Sequence, residues 1–137
     1  MAFIIDASIT LSWCFEDERT PETDALFVQL ANGATAVVPN IWPFEVTNVM
    51  TLALKKGRIN QSTSDEFLKF LKNANITIEK FNMDSVFGAI LSTALKFGLT
   101  SYDAAYIELA SRLNLPLATL DKPMRKAALA AGVTLLP

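Results

Sequence analysis

The 137-residue sequence contains no histidine. That absence removes Ser-His-Asp and Cys-His nucleophile systems, and any ribonuclease that uses histidine as its general acid and base. There is one cysteine, Cys14, so an internal disulfide is impossible and a structural zinc site lacks its usual soft ligands. Cys14 reads instead as a small buried hydrophobe in a protein of a reducing compartment, the cytoplasm. No apolar run approaches the roughly 20 residues of a membrane span. The first residues lack the basic flank of a secretion signal, and Asp6 interrupts their apolar stretch. Basic charge is not in excess: 12 Lys and Arg against 14 Asp and Glu give a net charge of -2, so RNA would have to be held locally or through metal ions. Aromatics are 9% of residues and many fall in apolar runs, so no base-stacking platform is evident. What is left for chemistry is carboxylates, hydroxyls, amines and a hard cation.

The hydrophobic share, 51%, is enough to fill the core of one domain spanning 1–137. Ala2 to Ile5 is a short unbroken apolar run, the pattern of a strand buried on both faces. Further strands are expected at Ala34–Pro39, Ile76–Glu79, Leu115–Leu120 and Val133–Leu136, with Ile76–Glu79 near an edge because it alternates. Between them lie helical signals. Ile9 to Phe15 is expected to make one or two turns, with Trp13 in the core, and the acidic Glu16–Glu18 a solvated loop. Thr20-Pro21-Glu22 starts a helix running to about Ala31, with Leu26, Phe27, Leu30 and Ala31 inward. Asn40 opens a longer one with Pro43 in its first turn and Gly57 at its end. Thr63 and Glu66 form a capping-box signal, Met83–Phe97 carries Val86, Ile90 and Ala94 at helical spacing before Gly98, and an Ala-rich helix follows Thr100. Pro123 to Ala131 is the last. About five short parallel strands flanked by about seven helices, an α/β fold, is the expected architecture.

Four acids fall at element boundaries rather than on solvated faces: Asp6, Glu45, Asp103 and Asp121. Each has a purely structural reading, as a turn residue, an N-cap or an acid complementing a helix dipole. Together they point elsewhere. Asp6 and Asp121 follow apolar strands at the end where open α/β sheets bind ligands, and Glu45 and Asp103 lie in first turns of helices beginning beside that edge. Carboxylates brought together repel and raise one another's pKa, and a divalent cation removes that penalty. With oxygen donors only, Mg²⁺ or Mn²⁺ suits the set, and one or two such ions can activate a water against a phosphodiester.

The same residues carry a resemblance. DAS at Asp6–Ser8, VPNIWPFEVTNVM, TSYDAAYIELA and LPLATLDKPMRKAA followed by GVTLL resemble the successive motifs of PIN-domain ribonucleases, most closely the VapC-type toxins of toxin–antitoxin pairs. The resemblance spans essentially the whole chain. It implies metal-binding, catalytic acids at Asp6, Glu45, Asp103 and Asp121, with Ser8, Asn48 and Thr119 as supporting polar positions. It further implies Mg²⁺- or Mn²⁺-dependent cleavage of RNA (tRNA or ribosomal RNA) to a 5′-phosphate and 3′-hydroxyl, a homodimer, and a cognate antitoxin. Two basic groups stand out, Lys55, Lys56 and Arg58 at a helix end and Lys122, Arg125 and Lys126 beside Asp121. A helix start disfavours cations, so Lys122 and Arg125 are the candidate RNA-phosphate contacts.

Competing readings are fewer. A phosphoacceptor receiver module needs an Asp after the third strand, where the chain has Glu79-Lys80-Phe81-Asn82. A dehalogenase-like phosphatase needs a second Asp two residues after Asp6, where Ser8 stands. A two-carboxylate glycosidase sits badly with the fold. A PIN-like nuclease of RNA maturation, outside any toxin system, remains open.

Overall fold

The apolar run at the N-terminus becomes the middle of the structure. In the computed structural model, which describes residues 1–137, strand β1 (Ala2–Ile5) pairs in parallel with β2 (Thr35–Pro39) on one side and β4 (Leu117–Ala118) on the other. Strand β3 (Ile76–Glu79) adds to β2, also in parallel, giving the order β3-β2-β1-β4. Phe3, Ile4 and Ile5 are wholly buried, whereas β3, as its alternation suggests, is an edge strand with Ile78 half exposed. The expected fifth strand is one rung long: Leu135 bridges Leu117, whose N–H donates to the Thr134 carbonyl at 2.8 Å.

Seven helices cover the sheet: α1 (Ala7–Ser12), α2 (Pro21–Ala31), α3 (Trp42–Lys55), α4 (Gln61–Asn73), α5 (83–97), α6 (Ser101–Leu113) and α7 (Lys122–Ala130). Helix α5 passes through a π-helical turn at Val86–Ile90. It ends at Gly98, whose φ of 65° is left-handed and suited to glycine. No helix is long and apolar enough to cross a membrane.

Several local expectations shift. Helix α4 starts earlier than Thr63, because the Asn60 side chain accepts from Thr63 N–H at 2.8 Å and takes the capping role. Helix α3 begins at Trp42 with no side-chain cap, so Asn40 lies in the preceding turn. Ala31 is exposed, on the flank of α2 beside the stripe buried through Leu26 and Leu30. Cys14 is only partly buried. Glu16–Glu18 forms a 3-10 turn in which Asp17 and Glu18 pair with Arg58.

One buried chain of hydrogen bonds ties α3 to the end of β1. Trp42 Nε1 donates to Thr10 Oγ1 at 2.9 Å, and Thr10 Oγ1 donates to the Asp6 carbonyl at 2.9 Å. Thr10→Val leaves the indole N–H without a partner. It is expected to lower unfolding free energy in urea by about 1–3 kcal/mol. Combined with Trp42→Phe, the loss should be smaller than the sum of the two, as for groups that share one bond.

Candidate active site

With order β3-β2-β1-β4, the chain winds outward from β1 in both directions, and the crevice lies between the carboxyl ends of β1 and β4. Asp6 follows β1 there and Thr119 follows β4. The Asp6 carboxylate, 4% exposed, caps α1. Its Oδ1 accepts from Ile9 N–H at 3.0 Å and from Ser8 Oγ at 2.6 Å, and its Oδ2 accepts from Thr119 Oγ1. Each hydroxyl is itself held by a backbone N–H. Ser8 Oγ accepts from Leu120 at 3.0 Å and Thr119 Oγ1 from Asp121 at 3.0 Å. Both hydroxyls are thereby turned toward Asp6, and as donors they favour its ionised form. Burial pushes the Asp6 pKa up, and these donors partly oppose it.

Glu45 projects from the first turn of α3, half-buried, with Oε1 accepting from the Tyr106 hydroxyl at 2.6 Å. Burial chiefly raises its pKa, against the Tyr106 bond and with the charges of Asp103 and Asp6 adding to the rise. Tyr106, 1% exposed, has its own phenol pushed far above the ordinary range by burial and by Glu45. Asp103 stands in the first turn of α6, where Thr100 caps by accepting from Asp103 N–H at 3.2 Å. Its pKa is raised by burial first, then by Asp121 and Asp6. Asp121 caps α7, Oδ2 accepting from Met124 N–H at 2.9 Å.

The structure therefore brings the four acids within electrostatic reach of one another, and none of them has a basic partner. All ion pairs lie elsewhere, on Asp17, Glu18, Asp24, Glu79 and Glu108. The donor set, oxygen only and uncompensated, fits a hard divalent cation. The acids do not close on one point as a three-ligand cage. Mg²⁺ is commonly held by one or two carboxylates with water completing the octahedron, so an open arrangement is compatible with it.

Among the other candidates, Ser8 and Thr119 touch Asp6, whereas Asn48 is exposed and hydrogen-bonds to none of the acids; it lines an open cleft beside Glu45. Lys122 is exposed at the start of α7. Arg125 Nη1 donates to the carbonyls of Thr119, at 2.9 Å, and Leu136, at 3.2 Å, so it braces β4 against the C-terminal segment. The other basic group sits apart: Lys55 is about 15 Å along α3 from Glu45. Arg58 packs over Phe15 and pairs with Asp17 and Glu18. Tyr106 is the residue that sequence reasoning passed over. Its position three after Asp103 on one helix was the available signal.

The family model for the PIN domain matches residues 3–129. This chain is a member of the PIN domain family. Among characterised proteins it is 25% identical over 124 residues to Ribonuclease VapC3 of Pyrobaculum aerophilum, covering 90% of this chain and 92% of that one. Among solved structures the PIN fold recurs in PAE2754 of Pyrobaculum aerophilum, with TM-score 0.69 at 20% identity over 99% of this chain and 92% of the other. It recurs too in VapBC2 of Rickettsia felis bound to a DNA fragment from their promoter, TM-score 0.65 at 19% identity over 98% and 97%. FitAcB of Neisseria gonorrhoeae gives TM-score 0.63 at 17% identity over 100% and 97%.

The raised carboxylates set the sign of a pH effect in this PIN domain. A group whose folded pKa lies above its unfolded value favours folding below the unfolded pKa, and that contribution is lost as pH rises through the folded pKa. Metal-free protein should therefore lose stability as pH rises above the ordinary values of 3.8 for Asp and 4.5 for Glu. Asp103→Asn should flatten this part of the profile and raise the neutral-pH melting temperature by a few degrees. Millimolar Mg²⁺ should stabilise the wild type more than the variant, as read by calorimetry.

Proposed function

We propose that the chain is a Mg²⁺- or Mn²⁺-dependent endoribonuclease and the toxin of a toxin–antitoxin pair. The observation that carries this reading is the set of four carboxylates at one sheet edge without a single cationic partner, one of them buried and held by three hydrogen-bond donors. A bound divalent ion would lower the pKa of a coordinated water and neutralise charge on the phosphate. Asp6, Glu45, Asp103 and Asp121 would hold it. Ser8 and Thr119 orient Asp6 and favour its charged form. The Tyr106 hydroxyl fixes the Glu45 rotamer, and Asp121 is anchored through the first turn of α7. The family resemblance implies hydrolysis in which the 3′-oxygen leaves and is protonated, giving a 3′-hydroxyl and a 5′-phosphate. The similarity to Ribonuclease VapC3 supports RNA, such as tRNA or ribosomal RNA, as the substrate. Resemblance to the VapBC2 and FitAcB folds supports an antitoxin partner. A second copy of the chain is the other partner in this reading, acting in the cytoplasm. Met83, Phe87, Leu91 and Leu95, exposed on one stripe of α5, suit such a contact.

Purified, antitoxin-free protein is expected to cut tRNA or total RNA in Mg²⁺ or Mn²⁺ and to stop in EDTA. Asp6→Asn and Asp103→Asn should abolish cutting while the fold persists. RNA left intact by folded wild type in either metal would sink the proposal. Tyr106→Phe should lower kcat/KM about 10- to 100-fold, as for groups that orient a metal ligand.

A further inference from the structure

Phe44 and Tyr102 directly precede Glu45 and Asp103 in sequence, and both rings face solvent, 73% and 57% exposed. They line one open cleft of about 550 Å³, together with Ile41, Glu45, Asn48 and Thr51. That volume lies in the range of sites that take small organic groups. Neither ring joins the core or packs on another ring of the protein. Composition gave no sign of a stacking platform, yet two of the exposed aromatics stand beside the acids.

The lining also limits what can enter. Glu45 carries the sole charge in the cleft, and no Lys or Arg contributes. A phosphate is repelled there. A flat, neutral group with polar edges is suited, because Asn48 offers an amide. Thr51 Oγ1 spends its proton on the Thr47 carbonyl at 2.8 Å and so offers an acceptor. Glu45 belongs both to this cleft and to the carboxylate set, so a phosphodiester at the acids has its adjoining nucleoside beside the rings.

We propose that this cleft receives one unpaired nucleobase of the RNA, next to the scissile phosphate and stacked on Phe44 and Tyr102. The proposal rests on the ribonuclease reading. It also answers the charge problem: a chain of net charge -2 gains little from phosphate contacts, and stacking supplies binding that requires no cation. It selects single-stranded or looped RNA, since a base inside a duplex cannot enter.

The test has two arms. Asp103→Asn protein in Mg²⁺ is titrated with a short unstructured oligoribonucleotide carrying 2-aminopurine, whose fluorescence falls on stacking. Quenching is expected. It should be lost, with binding weakened about ten-fold or more, on adding Phe44→Ala or Tyr102→Ala, and kept with Phe44→Trp. In the otherwise wild-type chain, Phe44→Ala should raise KM for single-stranded RNA by a similar factor, with little change in kcat and an unaltered Mg²⁺ thermal shift. Unchanged quenching and affinity in both alanine variants would overturn the proposal. So would variants that bind RNA normally but lose a protein partner. Cleavage by wild type and alanine variants alike refutes the stacking site alone. Quenching without cleavage by wild type refutes the ribonuclease reading and leaves the base site standing.

Discussion

The structure depends on how one buried carboxylate is held. Asp6 terminates the central strand, where an ion without partners would be prohibitively costly, and three donors from two separate segments meet it. The hydroxyls of Ser8 and Thr119 reach it only because backbone N–H groups of Leu120 and Asp121 hold their oxygens. The same bonds close β1 against β4 and set the position of Asp121. Stability and site geometry are here one network, and it crosses the crevice where the fold would otherwise be open.

The remaining acids are supported differently. Glu45 has a single strong tether, Tyr106, while Asp103 has no side-chain donor. The gradient from a fully held acid to an unheld one leaves part of the set free to adjust around an ion. Repulsion among the four is tolerated because the core under them is continuous, from Phe3 and Ile4 through Val38 to Leu109 and Leu117.

What could be read from the sequence was local. Asp6 after an apolar run, Thr100 three before Asp103, and Gly98 ending a helix are each decided within one turn of chain, and the parallel sheet follows from their alternation. Choices between two adequate signals went astray: Asn60 caps one turn earlier by accepting from the N–H of Thr63 itself, so Thr63 falls inside the first turn of α4. Some long-range ties were harder to read. Nothing near Tyr106 announces Glu45, 61 residues away, and nothing near Arg125 announces the carbonyl of Leu136, since both depend on how helices are set against the sheet. The exposed state of Phe44 was equally hidden, because an aromatic beside apolar neighbours reads as core until the face of its helix is known.

The bond between Thr119 and Asp6 spans 113 residues. At a synthesis rate of about 5–20 residues per second, the first acid precedes this hydroxyl on the ribosome by on the order of ten seconds. Throughout that interval the nascent chain has its central strand but no assembled centre. The carboxylate set is therefore completed only after β4 has been made, and any shorter chain lacks both the hydroxyl that holds Asp6 and the acid that caps α7.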